Sequence, residues 1–422
     1  MAQSFYYLDQ YKKDFPEDYL DSIQYELDTK IYYYGNQYRR NIDSKSYKRY
    51  FLYGKKKLAD IYKLSRDLKL NRPKNEIYAL SNAYFGLESY LKDFGIETLR
   101  MPWLGVDACS WQQYKIIRNY QNYLSKSSFI ELLSKEAIGK YYKVIETLTA
   151  IYSQEHIKYI CLSQDMTPFE RMSIKVFKEL GKKSLVFLHG LPGRYNNLDD
   201  NRSDYLVVWG EKTKELYVKA GIRSNKIFVS GHPRYTSFNV NTMQLRMDFS
   251  DILVIAKPMS GQHSDKIRLA DRGNLILYLS KIQSVLKSLG VNSVRLRPHP
   301  SMDAGWFYSF IDKAFFKEDT ERDINESLKK SSLVIGATSS VFLDALFAGV
   351  NYLIFEPAVN GTDLVNFPIV PPFDQSDKRA VVSQTEDELR EALLNRLLVD
   401  PSILQDYIKP GFDLSFIKNL VD

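Results

Sequence analysis

Two apolar patterns alternate along most of the chain. One is a short continuous run of apolar residues, as in 159–162, and the other is an apolar residue at every third or fourth position, as in 168–181. Continuous short runs are typical of strands buried on both faces, whereas the wider spacing is typical of helices that bury one side. The alternation of the two patterns after about residue 75 predicts parallel sheets covered by helices.

The predicted strands are the apolar runs that end in Gly, Pro or polar residues. They lie within residues 75–85, 157–165, 183–190, 204–210, 225–233, 251–258, 292–300, 331–337 and 350–357, with a further short strand after Gly95. The predicted helices lie at 111–153, 168–181, 211–221, 272–289, 306–314, 340–349 and 385–398. This order is typical of repeated βαβ units.

A weaker pattern between residues 236 and 250 divides the alternation in two. We therefore predict an α/β protein with two Rossmann-like domains, residues 76–240 and 250–400, that face each other across a cleft. A helical, basic extension (1–75) precedes them, and a tail (401–422) follows. A length of 422 residues suits two such domains because single hydrophobic cores rarely grow that large.

Polar residues end several predicted strands of the first domain. Asp165, His189 and His232 each follow an apolar run, and His189 precedes Gly190 in an H-G-L-P-G turn. Open parallel sheets bind ligands at the edge where their strands end. We predict catalytic roles for His189 and for Asp165, whose carboxylate can take a proton from an acceptor hydroxyl. Helix capping is an equally good role for Asp165, and a structural turn is the alternative for His232.

In the second domain, His299 stands between two prolines after a predicted strand. Proline fixes its own backbone torsion, so the loop holds the imidazole in a set direction. Such an imidazole can donate a hydrogen bond to a phosphate and stabilise the charge on a departing nucleotide. We predict that His299 is catalytic and binds the nucleotide phosphate. Arg297 either adds positive potential or is a surface residue.

Ser339 and Ser340 lie between a predicted strand and a predicted helix. Their hydroxyls and the free N–H groups at a helix start can bind phosphate, although Ser339 can also serve as a helix cap alone. Glu356, after the next strand, either accepts hydrogen bonds from a ribose or faces solvent. Ser260 and Gly261, in the turn after the domain's first strand, allow the backbone to approach a nucleotide closely.

The net charge of +7 is concentrated near the N-terminus. Residues 39–74 contain 13 Lys and Arg against three Asp, a surplus of ten, so the rest of the chain sums to about −3. Tyr, Phe and Leu are interleaved with these charges. The segment is either a solvated helical face or a surface that contacts anionic lipid. No recognised nucleic-acid module accompanies it, so nucleic acid is not an expected partner.

The two cysteines, Cys109 and Cys161, are far apart and form neither a disulfide framework nor a metal motif. The first 20 residues lack the apolar core of an export signal, and no apolar run approaches the roughly 18 residues that a membrane span needs. These features predict a cytoplasmic protein that can lie against the inner membrane face.

Five motifs follow one another in an order that resembles a known superfamily. They are HG (189–190), DYLVVWGE (204–211), GHPRY (231–235), RPHP (297–300) and Ser-Ser (339–340). Over roughly residues 157–360 the chain resembles the GT-B enzymes that include CDP-glycerol glycerophosphotransferases, bacterial polysialyltransferases and related capsule transferases. The resemblance implies that His299, Ser339 and Ser340 bind the phosphate of a cytidine nucleotide and that His189 belongs to the active site.

The resemblance further implies a glycosyltransferase that moves an acidic sugar of the sialic, pseudaminic, legionaminic or Kdo type from a CMP-activated donor to a surface glycan or glycolipid. We predict that Asp165 takes the acceptor proton and that no cofactor or metal takes part. The paired acidic residues and Gly that carry the base in polysialyltransferases are absent. Three alternatives remain open: a CDP-glycerol or CDP-polyol transferase, a sugar-nucleotide 2-epimerase, and a non-catalytic carbohydrate-binding protein.

Overall fold

The computed structural model describes residues 8, 11–32, 77–82, 86–192, 195, 202–256, 261–262, 268–269, 272–299, 308–359, 362–363 and 370–420. The basic segment 39–74, Ser260 and Pro300 lie outside the described residues. Within these residues the chain forms two six-stranded sheets. The predicted fold class, two Rossmann-like α/β domains with a helical N-terminal segment, is confirmed.

The first sheet is parallel throughout, with strand order β2-β1-β3-β4-β5-β6. Its strands are β1 (Ile77–Ser81), β2 (Ile96–Arg100), β3 (Ile157–Leu162), β4 (Lys183–Phe187), β5 (Tyr205–Val208) and β6 (Ile227–Val229). Five of the six match the continuous apolar runs, and β2 is the short strand predicted after Gly95. The loops that follow β1, β3, β4, β5 and β6 therefore share one edge of the sheet.

The helices of the N-terminal half lie on both faces of this sheet. They are α1 (Glu17–Tyr32), α2 (Glu88–Lys92), α3 (Trp111–Lys126), α4 (Phe129–Leu132), α5 (Lys135–Tyr152), α6 (Pro168–Glu179) and α7 (Glu211–Lys219). The helical stretch predicted at 111–153 is present and consists of three helices. Ser128 and Ser134 accept hydrogen bonds from the backbone N–H groups of Glu131 and Ala137 and so begin new helices.

Helix α1 belongs to the core of the first domain. Its residues Tyr19, Leu20, Ile23 and Leu27 are buried in the same apolar cluster as residues of α5 and β3. The guanidinium of Arg171 on α6 also binds the Asp21 carboxylate, with 2.9 Å between Nη1 and Oδ1. This part of the predicted extension is thus an integral layer of the first domain.

The second sheet is also parallel, with strand order β11-β10-β7-β12-β13-β16. Its strands are β7 (Ile252–Ala256), β10 (Val294–Pro298), β11 (Phe316–Glu318), β12 (Leu333–Gly336), β13 (Tyr352–Phe355) and β16 (Val382–Ser383). Two hairpins accompany it, β8 (Gly261–Gln262) with β9 (Arg268–Leu269) and β14 (Ala358–Val359) with β15 (Thr362–Asp363). After β7 the chain adds β10 and then β11 on one side of β7, and it then crosses to β12 on the other side. The loops after β7 and β12 therefore flank the position where open α/β sheets bind ligands.

The helices of the second half are α8 (Arg272–Ser288), α9 (Ile324–Lys330), α10 (Val341–Phe347), α11 (Glu386–Leu394) and α12 (Leu404–Tyr407). The helix predicted at 306–314 is not found in its described part, since residues 308–314 form turns. None of the helices in the described ranges is both long and apolar enough to cross a membrane.

The C-terminal tail returns to the first domain. Leu414 and Ile417 are buried in an apolar cluster with Leu185 and Phe187 of the first sheet. A Cβ atom at Gly210 would lie only 2.3 Å from the backbone carbon of Tyr407, so glycine is needed where the tail passes β5. The tail therefore ties the two domains together beside the cleft.

Candidate active site

The loop that carries Ser339 and Ser340 is shaped by the neighbouring strand. β12 ends at Gly336, where a Cβ atom would lie 2.4 Å from the Tyr352 hydroxyl oxygen. That hydroxyl donates a hydrogen bond of 2.7 Å to the carbonyl of Ala337. Only glycine at position 336 leaves room for the Tyr352 hydroxyl. That hydroxyl then holds the Ala337 carbonyl, so the start of the turn toward α10 is fixed.

Ser339 lies two residues before α10. Its Oγ accepts a hydrogen bond of 3.2 Å from the backbone N–H of Val341, the first residue of that helix. Ser339 therefore bonds the start of α10, although Ser340 is the residue that immediately precedes it. A serine hydroxyl that accepts one hydrogen bond still has a hydrogen to donate, so this bond is compatible with phosphate binding.

Glu356 lies beneath the same loop and does not face solvent. Its side chain is 2% exposed, and its Oε1 accepts hydrogen bonds from the backbone N–H and the hydroxyl of Thr338. The solvent-facing alternative for this residue is wrong. The carboxylate of Glu356 holds the residue immediately before the two serines, and its contact with a ribose stays a prediction.

His299 is exposed and lies on the other side of β7. Its backbone N–H donates a hydrogen bond of 2.8 Å to the carbonyl of Ala256 at the end of β7. In the sheet, Pro298 pairs with Ala256 on one side of β7, and Gly336 pairs with Ile255 on the other. The His299 loop and the Ser-Ser loop are therefore two strands apart, or about 10 Å along the edge. A nucleotide phosphate fits within this span.

Arg297 belongs to a buried ion-pair network. Its Nη1 lies 2.6 Å from Oδ2 of Asp319, whose side chain is fully buried, and Arg295 binds the other oxygen of that carboxylate at 2.8 Å. Burial favours the neutral Asp319, but hydrogen bonds from Ser327, Arg297 and Arg295 hold its pKa below the ordinary value. The interpretation of Arg297 as a surface residue is wrong, because it neutralises this buried charge.

The predicted contacts from the loop after β7 fall partly outside the described residues. Gly261 is described and pairs with Leu269 in the antiparallel ladder of β8 and β9. Ser260 is not described. Their roles in nucleotide binding stay predictions.

His189 follows β4 and is exposed at the edge of the first sheet. Its Nδ1 lies 2.9 Å from the carbonyl oxygen of Ser163, which follows β3. Because a carbonyl oxygen can only accept, Nδ1 must carry the hydrogen of this bond. In the neutral ring the lone pair therefore belongs to Nε2, which makes Nε2 the nitrogen that can take a proton.

The loop of His189 lies close to the Ser-Ser loop. A Cβ atom at Gly190 would lie 3.5 Å from Oγ and 3.7 Å from Cβ of Ser340. Leu191 also packs against an apolar cluster that contains Phe342 of α10. The structure thus brings the loop after His189 close to Ser340, although the two are about 150 positions apart in the chain.

Asp165 is close to the same edge but faces away from solvent. It is 3% exposed, and the backbone N–H of Arg202 lies 3.4 Å from its Oδ2. The Arg202 guanidinium lies 4.0 Å from its other oxygen. Helix α6 begins after Thr167, so the capping alternative for Asp165 is wrong.

His232 and its neighbours form a rigid junction between the domains. The His232 ring packs edge-on against Trp209 at 4.5 Å, and its Nδ1 accepts a hydrogen bond from the N–H of Arg234. Burial, assisted by the charge of Arg234, lowers the pKa of His232 to about 4. Tyr235 stacks on Phe347 of α10 with 3.9 Å between the ring centres. The GHPRY motif is therefore a structural turn that fixes the linker against α10.

Sequence reasoning missed two residues behind His189. Glu170, the third residue of α6, is 3% exposed, and its Oε1 accepts a hydrogen bond of 3.0 Å from Nδ2 of Asn82. Burial raises the pKa of Glu170 to about 7. An acidic residue in the first helical turn is so common that its position gave no functional signal.

The described residues include no group of three or more His, Cys, Asp or Glu side chains that is arranged to hold a metal ion.

No family model matches the chain, and no curated protein matches it in sequence. Solved structures resemble its fold. A UDP-GlcNAc 2-epimerase from Neisseria meningitidis, solved with UDP-GlcNAc, is 10% identical with a TM-score of 0.45, over 82% of this chain and 99% of that one. The lipopolysaccharide outer core galactosyltransferase WaaB is 11% identical with a TM-score of 0.42, over 82% and 98% of the chains. The wall teichoic acid polymerase TagF is 13% identical with a TM-score of 0.42, over 86% and 96%.

Proposed function

We propose that the chain is a glycosyltransferase that binds a nucleotide-linked sugar at the second sheet and transfers the sugar to a hydroxyl held against the first sheet. The observation that carries this proposal is the closeness of the His189 loop to Ser340, where an added Cβ at Gly190 would lie 3.5 Å from the serine Oγ. This closeness supports a site in which a basic imidazole nitrogen and a pair of serine hydroxyls act on the same substrate. A base for the acceptor and donors for the leaving phosphate are the two requirements of such a transfer.

In the proposed reaction the acceptor oxygen attacks the anomeric carbon of the donor sugar. A bond forms between these two atoms, and the acceptor proton moves to Nε2 of His189. The bond between the anomeric carbon and the phosphate oxygen breaks, and its electron pair remains on the phosphate. Hydrogen bonds from Ser339, Ser340 and His299 stabilise that added negative charge.

We assign the base to His189 instead of Asp165 because of their different surroundings. The Asp165 carboxylate is 3% exposed, with the Arg202 guanidinium 4.0 Å away, so an acceptor hydroxyl has little access to it. The His189 ring is exposed, and its bond to the Ser163 carbonyl fixes which nitrogen is basic. Taking a proton turns the ring into an imidazolium, which keeps the same Nδ1–H bond.

The identity of the donor and of the acceptor in this proposal rests on the order of the five sequence motifs. We propose that the donor is a CMP-linked acidic sugar, that the acceptor is a surface glycan or glycolipid, and that the reaction uses no metal or cofactor. We also propose that residues 39–74 bring the enzyme to an anionic membrane surface. The exposed position of His299, on the same sheet as the Ser-Ser loop, supports binding of the donor phosphate there.

Thermal unfolding with different nucleotides tests the proposal. A ligand that binds only the folded state raises Tm, and at 100 times its Kd it adds about 2.7 kcal/mol. We expect CMP or CDP to raise Tm and a CMP-sugar to be hydrolysed slowly without acceptor. Stabilisation by UDP but by neither cytidine nucleotide would contradict the CMP assignment.

A matched pair of serine variants locates the binding site. Ser339→Ala removes a hydroxyl that caps α10 at 3.2 Å, and Ser134→Ala removes one that caps α5 at the same distance. Both variants lose a helix cap, which costs about 1 kcal/mol. Only Ser339→Ala is expected to reduce the nucleotide-dependent rise in Tm. An equal reduction in both variants would argue against binding at Ser339.

A further inference from the structure

A chain of hydrogen bonds links His189 to a buried carboxyl group in the first domain. The Nδ1–H of His189 is bonded to the carbonyl oxygen of Ser163 at 2.9 Å, and the N–H of Ser163 donates to Oδ1 of Asn82 at 3.2 Å. The Nδ2 of Asn82 in turn donates to Oε1 of Glu170 at 3.0 Å. Each step runs from a donor to an acceptor, so the orientation of the Asn82 amide is fixed by its two neighbours.

We propose that Glu170 is a positioning residue for the transfer reaction, which acts through Asn82 and the Ser163 backbone to hold His189 with Nε2 as its basic nitrogen. This inference rests on the proposed function of His189. Glu170 does not touch the cleft itself. Its carboxyl oxygen fixes the Asn82 amide, and the amide fixes the strand end whose carbonyl selects the hydrogen on Nδ1.

The three residues behind His189 follow or belong to three different elements of the first domain. Asn82 follows β1, Ser163 follows β3, and Glu170 lies in the first turn of α6. β1 and β3 are neighbours in the sheet, and β3 is next to β4, which ends before His189. A side chain that bridges β1 and the start of α6 therefore fixes the strand end on which the imidazole depends.

Glu170 occupies this position at a cost in stability. It is 3% exposed, and the groups that face it are the Asn82 and Gln164 amides and the buried phenol of Tyr152. None of these described groups is a cation, so burial dominates and raises the pKa of Glu170 from 4.5 to about 7. A neutral side chain of the same shape would avoid the cost of ionising a buried carboxyl group.

The cost of ionising the buried Glu170 carboxyl group makes the stability of the protein depend on pH. This dependence separates a positioning role of Glu170 from a packing role. Because the pKa of Glu170 is raised in the folded state, the free energy of unfolding falls as the pH rises from about 4.5 to about 7. It is lowest above the folded-state pKa. Glu170→Gln removes the ionisation and keeps the shape. We expect the Tm difference between Glu170→Gln and the wild-type protein to move in favour of the variant between pH 5.5 and pH 8.

The kinetic expectation depends on the hydrogen bond to Asn82 and not on the charge of Glu170. At pH 8 we expect Glu170→Leu, which has no acceptor for the Asn82 amide, to lower kcat about tenfold and to leave the donor KM unchanged, because misplacing a base affects the chemical step. Glu170→Gln keeps an acceptor oxygen and should keep kcat within about twofold of the wild-type value. Glu179→Gln is the matched control, since Glu179 ends the same helix with its side chain 53% exposed and bonded to Lys175. It should change neither kcat nor Tm. Unchanged kcat in Glu170→Leu, or a loss of kcat in that variant that is matched by a fall in Tm at pH 8, would overturn the proposal.

A second measurement does not depend on the transfer reaction. The ¹⁵N shifts of the His189 ring report which nitrogen carries hydrogen, and His189→Gln identifies its signals. We expect Nδ1–H in the wild-type protein and a mixture of the two tautomers in Asn82→Ala. The same single tautomer in Asn82→Ala would overturn the proposal. If the expected tautomers are found but no sugar is transferred, the proposed function is refuted, while the hydrogen-bonded link from Glu170 to His189 still holds.

Discussion

His189→Ala is expected to lower the rate of sugar transfer at least 100-fold while nucleotide binding stays unchanged. General base catalysis by a positioned imidazole contributes about 100- to 10,000-fold, and this variant removes the nitrogen that takes the acceptor proton. The Ser-Ser loop and His299 remain, so the nucleotide still binds. The rate is measured with saturating donor and acceptor, and nucleotide binding by the rise in Tm.

His156→Ala is the control for this variant. His156 precedes β3 and therefore lies at the opposite edge of the first sheet, where its ring packs edge-on against Tyr78 at 5.2 Å. Its removal should leave transfer within about twofold of the wild-type rate. A His189→Ala enzyme that keeps more than about a tenth of the wild-type rate would return the role of base to another group. Asp165→Asn would then be the variant that decides.

His299→Ala is expected to reduce transfer by 100-fold or more, with the fold intact. Loss of one preorganised donor to a developing negative charge typically costs about 100- to 1,000-fold. The side chain of His299 is exposed, and the contact that anchors its loop uses the backbone N–H, which alanine retains. Tm should therefore change little.

The two histidine variants should differ in how they respond to the donor. His299 acts on the leaving group, so a donor with a better leaving group should recover much of the rate lost in His299→Ala. It should recover little in His189→Ala, because the acceptor proton still has no base. Retention of more than about a tenth of the wild-type rate in His299→Ala, or equal recovery in both variants, would contradict the leaving-group role.

Much of the sheet architecture could be predicted because both sheets are parallel and buried. Their strands are continuous apolar runs, as in 333–336 and 352–355, and every residue of these two strands is buried. The strand directions also give the edge of the first sheet at which His189 lies and the edge of the second sheet at which His299 and Ser339 lie. Each of the three side chains comes directly after, or within a few residues of, a strand end.

Contacts between distant parts of the chain could not be predicted. The approach of Gly190 to Ser340 depends on the relative placement of two domains, which no local pattern encodes. The surroundings of Asp165 and Glu356 were misjudged for a related reason, since a polar residue after a strand has the same sequence signature whether it is buried or exposed. The role of Glu170 is hidden in the same way. The path of residues 412–417 back to the first sheet is a further long-range contact.

A structure of the protein with a cytidine nucleotide bound tests the central claim most directly, namely that a phosphate binds between His299 and the Ser-Ser loop. We expect phosphate oxygens about 3 Å from Oγ of Ser339 or Ser340 and from a ring nitrogen of His299. The sugar side of the nucleotide should point toward His189. A phosphate bound instead at the edge of the first sheet, or away from both serines, would contradict the claim.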